Sequence, residues 1–167
     1  MAEEKFVPFK SFFAGIEAMP FATAIKESEW MFQTIEVVHV LALALVIGSI
    51  SMLDLRLLGR SPHRGVKEMT EEVLPWTWVA FLFAVVSGVL MFCSAAVKYA
   101  GMPQFQVKIL LIVLAGINML AFHFITYRSV QDWNVNTTTP ASAKVAGALS
   151  LTLWIGVVTL GRWVGFV

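Results

Sequence analysis

Two histidines, His39 and His123, lie deep within long apolar stretches of the sequence. A neutral imidazole that projects into a bundle of membrane helices is a common ligand for the iron of haem b. Lys108 and Arg162 also interrupt apolar stretches, and both can hold haem propionates through charge-assisted hydrogen bonds. These four residues are the predicted cofactor-binding residues, and the two histidines are the predicted metal ligands.

A single haem between the two histidines of one chain is not expected. His39 lies toward the beginning of its apolar stretch, and His123 lies toward the end of another that runs in the same direction. At a rise of 1.5 Å per residue, the depths of the two side chains in a bilayer differ by about 20 Å. Two separate sites, or one site shared between subunits, fit this spacing better.

Copper is the alternative metal. Cys93 and Met91 fall at about the depth of His39, and Met52 and Met119 fall at about the depth of His123. Thiolate, thioether and imidazole groups together suit Cu(I). Methionine is also a common packing residue in apolar cores, so the pattern alone does not choose between the two roles.

The first long helix is predicted to carry a polar seam that faces inward. At 100° per residue its polar residues fall within an arc of about 120°; they are Gln33, Glu36, His39, Ser51 and Asp54. Arg56 and Asn118 are predicted to extend this polar interior. Ionisable residues at membrane depth also suit a proton or solute path. Alternatively, His39 simply hydrogen-bonds a neighbour such as Glu36, and Asp54 pairs with Arg56 at the membrane surface.

The composition indicates an integral membrane protein. Of the 167 residues, 58% are hydrophobic and 14% are charged, whereas soluble domains average about 25% charged residues. The net charge of +1, without a basic run, predicts no nucleic-acid partner. We find no nucleophile–base arrangement, phosphate-binding glycine loop or catalytic carboxylate pair, so a hydrolase or transferase acting alone is not expected.

The predicted fold is an all-α membrane bundle of four helices over residues 29–167, with spans at about 30–58, 75–99, 104–127 and 144–166. Each apolar run is long enough for a hydrocarbon core of about 30 Å. Residues 1–28 are predicted to form an amphipathic arm on the bilayer surface, with Glu17 in water and Ser28 capping the first span. Pro75 is predicted at the start of the second span, after a short surface helix in MTEEV. The stretch SVQDWNVNTTTPASA after the third span is predicted to be a polar loop. Close helix contacts are predicted at Ser87-Gly88 and at the glycines of the fourth span, Gly147, Gly156, Gly161 and Gly165.

An even number of spans places both termini on one side of the membrane. We call this side the arm end; the opposite side, which holds the loops after the first and third spans, is the loop end. Two clusters of ionisable residues are predicted: Glu36, His39, Lys108 and Arg162 toward the arm end, and Asp54, His123 and Arg56 toward the loop end. The loop end has more basic residues close to the membrane, namely Arg56, Arg60, Arg64, Lys67, Arg128 and Lys144. The positive-inside rule therefore predicts that both termini are periplasmic.

Several sequence segments resemble an uncharacterised family of small bacterial four-helix membrane proteins. They are HVLALALVIGSISMLDLRLLG from His39, PWTW from Pro75, Asn118 with Phe122-His123, and the terminal GRWVGF. In arrangement this family is similar to the membrane domain of copper-resistance D-type proteins and to small b-type cytochromes. The resemblance covers residues 30–167 and implies a bacterial inner-membrane location. It draws attention to His39, Asp54, Arg56 and His123.

Three functional hypotheses follow. The first is a haem-binding or redox-associated membrane subunit that passes electrons or anchors a redox partner. The second is a copper-handling membrane protein. The third is a non-catalytic accessory subunit of a larger membrane complex. In each case the expected partners are the lipid bilayer and either other membrane subunits or further copies of the chain.

Overall fold

The computed structural model describes residues 10–165, and all regular elements in that range are helical. Two short helices, α1 (Lys10–Glu17) and α2 (Pro20–Glu27), precede the long helices α3 (Met31–Leu57) and α4 (Val66–Ser94). A short helix α5 (Ala96–Ala100) leads into α6 (Pro103–Ala121). The chain continues through a π-helical turn (Phe122–Thr126) and a 3₁₀ segment (Tyr127–Asp132), and it ends with α7 (Ala141–Val164).

The predicted all-α fold with four apolar spans is confirmed. Four helical segments are long and apolar enough to cross a membrane: α3, α4, α6 with its extension to Asp132, and α7. Most of their large apolar side chains, such as Leu45, Val86 and Ile117, are exposed on the outside of the bundle. A bilayer covers such a surface, and the chain is therefore a multi-pass membrane protein.

The second span begins earlier than predicted. Pro75 lies inside α4, which starts at Val66. Val66 is fully buried, so packing of this first turn against the bundle extends the helix ahead of the proline. At its other end α4 stops at Ser94, because Ala95 leaves the helical region with φ −151° and ψ 48°. The segment predicted as the end of the span is instead the separate helix α5.

The third span ends later than predicted. Helical structure continues past Tyr127 to Asp132, in a stretch expected to be a polar loop. Val130 and Trp133 are buried with Leu57, Val66 and Ala143, and this cluster closes the loop end of the bundle. Residues 1–9 of the predicted arm, and Phe166 of the fourth span and of the GRWVGF segment, lie outside the described residues.

The long helices form two pairs. Helix α3 packs along α4, α6 packs along α7, and contact between α3 and α7 joins the pairs. In the described part of the chain, α4 and α6 make no contact of similar extent. A cleft therefore remains between α4 and α6, and its floor is the line along which α3 meets α7.

Small residues allow most of these close approaches, as predicted. A Cβ atom on Gly88 would lie 3.1 Å from the His39 ring, and one on Gly147 would lie 3.0 Å from the Asp54 carbonyl oxygen. Gly156 approaches Leu111, and Gly161 approaches Lys108. Gly165 is the exception, because among the described residues an added Cβ atom would meet only the Arg162 carbonyl oxygen of the preceding turn.

The arm packs against the arm end of the bundle. Ala22 and Ile25 of α2 are buried, and Phe13 makes an edge-to-face contact with Phe92 of α4. Glu17 was predicted to stay in water. Instead, its carboxylate accepts a hydrogen bond from the Val97 amide at 2.8 Å, which caps α5. The Ser28 cap is confirmed, since its hydroxyl oxygen accepts a bond from the Met31 amide at 3.2 Å.

Candidate functional site

A cavity of about 200 Å³ lies toward the loop end of the bundle, where α3, α4, α6 and α7 come together. Its lining is mostly apolar and includes four aromatic side chains, Trp78, Phe81, Phe122 and Trp154. Asp54 from α3 and His123 from the π-helical turn are its two ionisable residues. The structure thus brings together two residues that the sequence placed on different helices at the same depth.

Asp54 is the most unusual residue of this cavity. Its side chain is only 5% exposed, and its Oδ2 atom has no hydrogen-bond partner. The hydroxyl of Ser150 on α7 provides a hydrogen bond to the carboxyl group. An acceptor buried without a partner costs about 1–3 kcal/mol of desolvation. The orphaned oxygen therefore marks a place where a ligand would gain a hydrogen bond.

Arg56 does not pair with Asp54, so the alternative of an ion pair is wrong. Two positions apart on a helix, the two side chains point in different directions. Arg56 is 1% exposed, and its guanidinium donates to four oxygens of the loop-end loops. They are the carbonyls of Arg64 at 2.6 Å, Asn134 at 2.9 Å and Pro62 at 3.3 Å, and the Thr139 hydroxyl at 3.2 Å. Arg56 therefore holds both loops over the bundle.

His123 borders two spaces. It lines the cavity, and it also lines an open pocket formed by Thr70, Glu71, Leu74, Pro75, Trp78 and Tyr127, which we call the vestibule. Its ring stacks on Tyr127 with a centroid distance of 5.1 Å. The π-helical turn places this ring, and such turns are frequent at functional sites.

His39 belongs to a different environment. Its Nδ1 atom lies 2.9 Å from the Ser87 hydroxyl oxygen of α4. The Ser87 hydroxyl donates its own hydrogen to the Phe83 carbonyl at 2.5 Å, so Nδ1–H of His39 is the donor toward Ser87. This tautomer leaves Nε2 of His39 as an available acceptor or ligand.

The charged groups near His39 are those predicted for the arm end. Both Glu36 and Lys108 interact with it electrostatically. Burial raises the pKa of the Tyr99 hydroxyl in α5, and the negative charge of Glu36 raises it further. Lys108 is half-buried, and its Nζ atom lies close to Gly161 of α7. Arg162, also predicted for this cluster, is exposed.

The inward polar seam is shorter than predicted. Gln33 and Glu36 are exposed in the single chain, His39 is half-buried, and Asp54 is buried. Asn118 faces inward as predicted, because its Nδ2 atom donates to the Ala146 carbonyl of α7 at 3.0 Å. The seam therefore divides into an arm-end cluster around His39 and the cavity around Asp54.

The predicted metal ligands lie in separate places. His39 does not line the cavity that His123 lines, which agrees with the depth difference expected from the sequence. Of the copper candidates, Met119 lines the cavity, whereas Met52 is 47% exposed and Cys93 is buried elsewhere in α4. Within residues 10–165, no group of three or more His, Cys, Asp or Glu side chains is suited to hold a metal ion.

Two residues of the site were not predicted from the sequence. Ser150 is one helical turn from Gly147, the glycine at which α7 meets Asp54, and this spacing placed it on the same face. Glu71 was assigned to a surface helix and not to the second span, so its position beside His123 had no sequence signal.

Residues 22–167 match a family described as a family of unknown function, DUF6644. The matched range begins inside α2 and contains α3 to α7, and hence both the cavity and the cluster around His39. No curated protein and no solved structure matches the chain.

Proposed function

We propose that this chain, which belongs to the family of unknown function DUF6644, binds a lipid-soluble ligand with one ring and polar ring substituents. This is the chemistry of a quinone or quinol, and it makes the chain a redox-associated membrane subunit. The observation that carries the proposal is the Oδ2 atom of Asp54, which is buried without a partner at the wall of the cavity.

The size of the cavity supports a ligand with a single ring. An engineered apolar cavity of about 150 Å³ binds benzene, and the cavity beside Asp54 has about 200 Å³. Pockets for drug-sized molecules are larger, at about 300–1,000 Å³. The volume of the cavity therefore matches a substituted six-membered ring.

The lining supports the same class of ligand. Four aromatic side chains can contact the faces and edges of a ring. Asp54 and His123 come from different helices, so they offer hydrogen bonds to substituents at different positions of the ring. An apolar tail would leave through the cleft between α4 and α6, which is also the route by which the ligand would arrive from the bilayer.

Tryptophan fluorescence provides a direct test. Trp78 and Trp154 line the cavity, and a bound quinone quenches indole emission. The probe is a short-chain benzoquinone, added to the protein in nanodiscs. We expect saturable quenching that is lost in Gly116→Leu. Gly116 lines the cavity, and a Cβ atom there meets none of the described residues within 4 Å, so the leucine side chain is expected to fill part of the cavity. The matched control is Gly48→Leu, at a second open but exposed glycine.

The polar contacts are tested in the same assay. The quinol hydroxyl can donate a hydrogen bond to Asp54 Oδ2, so the quinol is the probe here, and its binding is measured by displacement of the quenching quinone. Asp54→Asn and His123→Gln are each expected to weaken quinol binding at least about tenfold, since a hydrogen bond to a charged group contributes about 1.5–3 kcal/mol. His63→Gln, in an exposed loop, should bind as the wild type does. Quenching that never saturates, or that is equal in Gly116→Leu and Gly48→Leu, would refute the proposal.

Haem b or copper at His39 is a second candidate, and the bond between His39 and Ser87 favours it. That bond fixes the ring and leaves Nε2 free for a metal. A haem there would lie outside the cavity, with His39 of another copy, at the same depth, as the second ligand and Lys108 or Arg162 at the propionates. A Soret band or stoichiometric copper in purified protein, lost in His39→Gln, would support this candidate; the absence of both would remove it.

We further propose a bacterial inner-membrane location with both termini in the periplasm, based on the basic residues at the loop end. Other membrane subunits or further copies of the chain are the proposed partners. If the chain is an accessory subunit without a ligand of its own, it will purify with a larger complex and show neither quinone binding nor a cofactor.

A further inference from the structure

We propose that His123 carries protons between the cavity at Asp54 and the water at the loop end, through the vestibule. This inference deepens the proposed function and rests on it in one respect: the protons of a bound quinol would use this route. The transfer between Asp54 and water nevertheless takes place without a ligand, so it can be measured separately.

The position of His123 carries the inference. His123 lines two spaces: the cavity with Asp54, and the vestibule with Glu71 and Tyr127. Leu74 and Trp78 are the other residues that line both spaces. Of the described residues, His123 is therefore the one ionisable side chain shared by the cavity and the vestibule.

Alternative routes from Asp54 to the loop end are closed by packing. Leu57, Phe122, Val130, Trp133 and Ala143 form a buried apolar cluster between the bundle and the loops. Next to this cluster, the guanidinium of Arg56 donates hydrogen bonds to oxygens of both loops. His39 and Lys108, the other ionisable residues of the interior, lie toward the arm end.

The proposed transfer moves protons only and changes no oxidation state. A proton passes from Asp54, directly or through a ligand hydroxyl or a water molecule, to one nitrogen of the neutral imidazole. The imidazolium then releases the proton on its other nitrogen to the Glu71 carboxylate or to water in the vestibule, and the ring returns to its neutral form. Histidine suits this exchange because one ring nitrogen can accept a proton while the other releases one.

Ionisable side chains from three neighbouring elements lie around His123. Asp54 faces it from α3, Glu71 from α4 and Tyr127 from the 3₁₀ segment. Glu68 of α4 lies close enough to act electrostatically on Tyr127. The residues that α7 contributes to the cavity, Ala146, Ser150 and Trp154, are not ionisable.

Infrared spectroscopy after a pH jump tests the proposal. The protein is studied in nanodiscs without quinone, and the Asp54 band is identified as the carboxyl band that is missing from Asp54→Asn. We expect His123→Phe to slow the response of this band at least tenfold, because phenylalanine keeps the stack on Tyr127 but carries no proton. Glu71→Gln should slow it less, since water also reaches the vestibule. The matched control, His63→Phe, should respond at the wild-type rate.

Chemical rescue adds a second readout. In His123→Ala, added imidazole should restore a fast response, which a purely structural role of His123 would not allow. A wild-type rate in His123→Phe, an absence of rescue, or an Asp54 band that is insensitive to pH would each overturn the inference. Slow transfer in His123→Phe without any quinone binding would leave the relay intact and refute the proposed function. Quinone binding together with fast proton transfer in His123→Phe would support the proposed function and refute the relay.

Discussion

At the level of single residues, the two buried charged groups near the end of α3 have opposite roles. Arg56 donates hydrogen bonds to oxygens of the loops, whereas one carboxyl oxygen of Asp54 has no hydrogen-bond partner. A fully bonded buried charge contributes to structure, and an orphaned one indicates a site for a ligand. The two residues differ in function although they are two positions apart.

Replacement of Arg56 should destabilise the loop end. Arg56→Met removes bonds to four oxygens, although the Pro62 and Asn134 carbonyls also accept backbone bonds from Asn136 and Val66. The expected loss is about 2–4 kcal/mol of unfolding free energy. Thermal unfolding in detergent and proteolysis of the two loops measure it. The control is Arg60→Met, which replaces an exposed arginine near the end of α3. Equal stability of the two variants would show that Arg56 does not hold the loops over the bundle.

The bond between His39 and Ser87 allows a structural role to be separated from a ligand role. Side-chain hydrogen bonds between membrane helices contribute about 0.6 kcal/mol on average and at most about 1.7 kcal/mol. A double-mutant cycle with Ser87→Ala and His39→Gln should give a coupling energy in that range if the bond is merely structural. Loss of a bound metal or haem in Ser87→Ala, at unchanged stability, would instead show that Ser87 orients a ligand.

At the level of helices, sequence predicted the number and type of spans but misplaced the ends of the middle two. Pro75 was taken as a helix start because proline favours a first turn. In the structure, burial of Val66 stabilises two further turns ahead of it. Similarly, the polar stretch after Tyr127 stays helical because Val130 and Trp133 are buried. Both errors arise from tertiary packing, which local sequence signals do not contain.

Glycine positions on these helices should respond to alanine with opposite signs. In an open position, glycine to alanine favours a helix by up to about 1 kcal/mol. Gly48→Ala should therefore raise thermal stability slightly. At Gly147 the new Cβ atom would lie 3.0 Å from the Asp54 carbonyl oxygen and 3.1 Å from Leu57 Cβ. The helices α3 and α7 must then separate, and we expect a loss of about 1–2 kcal/mol. Stabilisation by both substitutions would show that α3 and α7 are not in close contact.

At the level of the whole molecule, the cavity results from the way the four long helices pack together. The sequence of any one helix does not determine this packing. The periodicity of α3 indicated that Asp54 faces inward, and the parallel course of α3 and α6 placed His123 at a similar depth. That α4 and α6 leave a cleft depends on which helices meet through glycines, such as Gly88 and Gly147. The candidate residues were therefore predictable from the sequence, whereas the cavity between the four helices and the contribution of Glu71 were not.

The orientation of the whole chain is the remaining prediction, and one cysteine makes it testable. Cys93 is the single cysteine of the sequence, so Cys93→Ala provides a cysteine-free background. Ser61→Cys then reports on the loop end and Ala18→Cys on the arm end, and both positions are exposed. The basic residues at the loop end predict that it is cytoplasmic. In intact bacterial cells, a membrane-impermeant maleimide should label Ala18→Cys and spare Ser61→Cys until the membrane is permeabilised. The reverse pattern would place the vestibule beside Glu71 in the periplasm, and the protons carried by His123 would then be exchanged with that compartment.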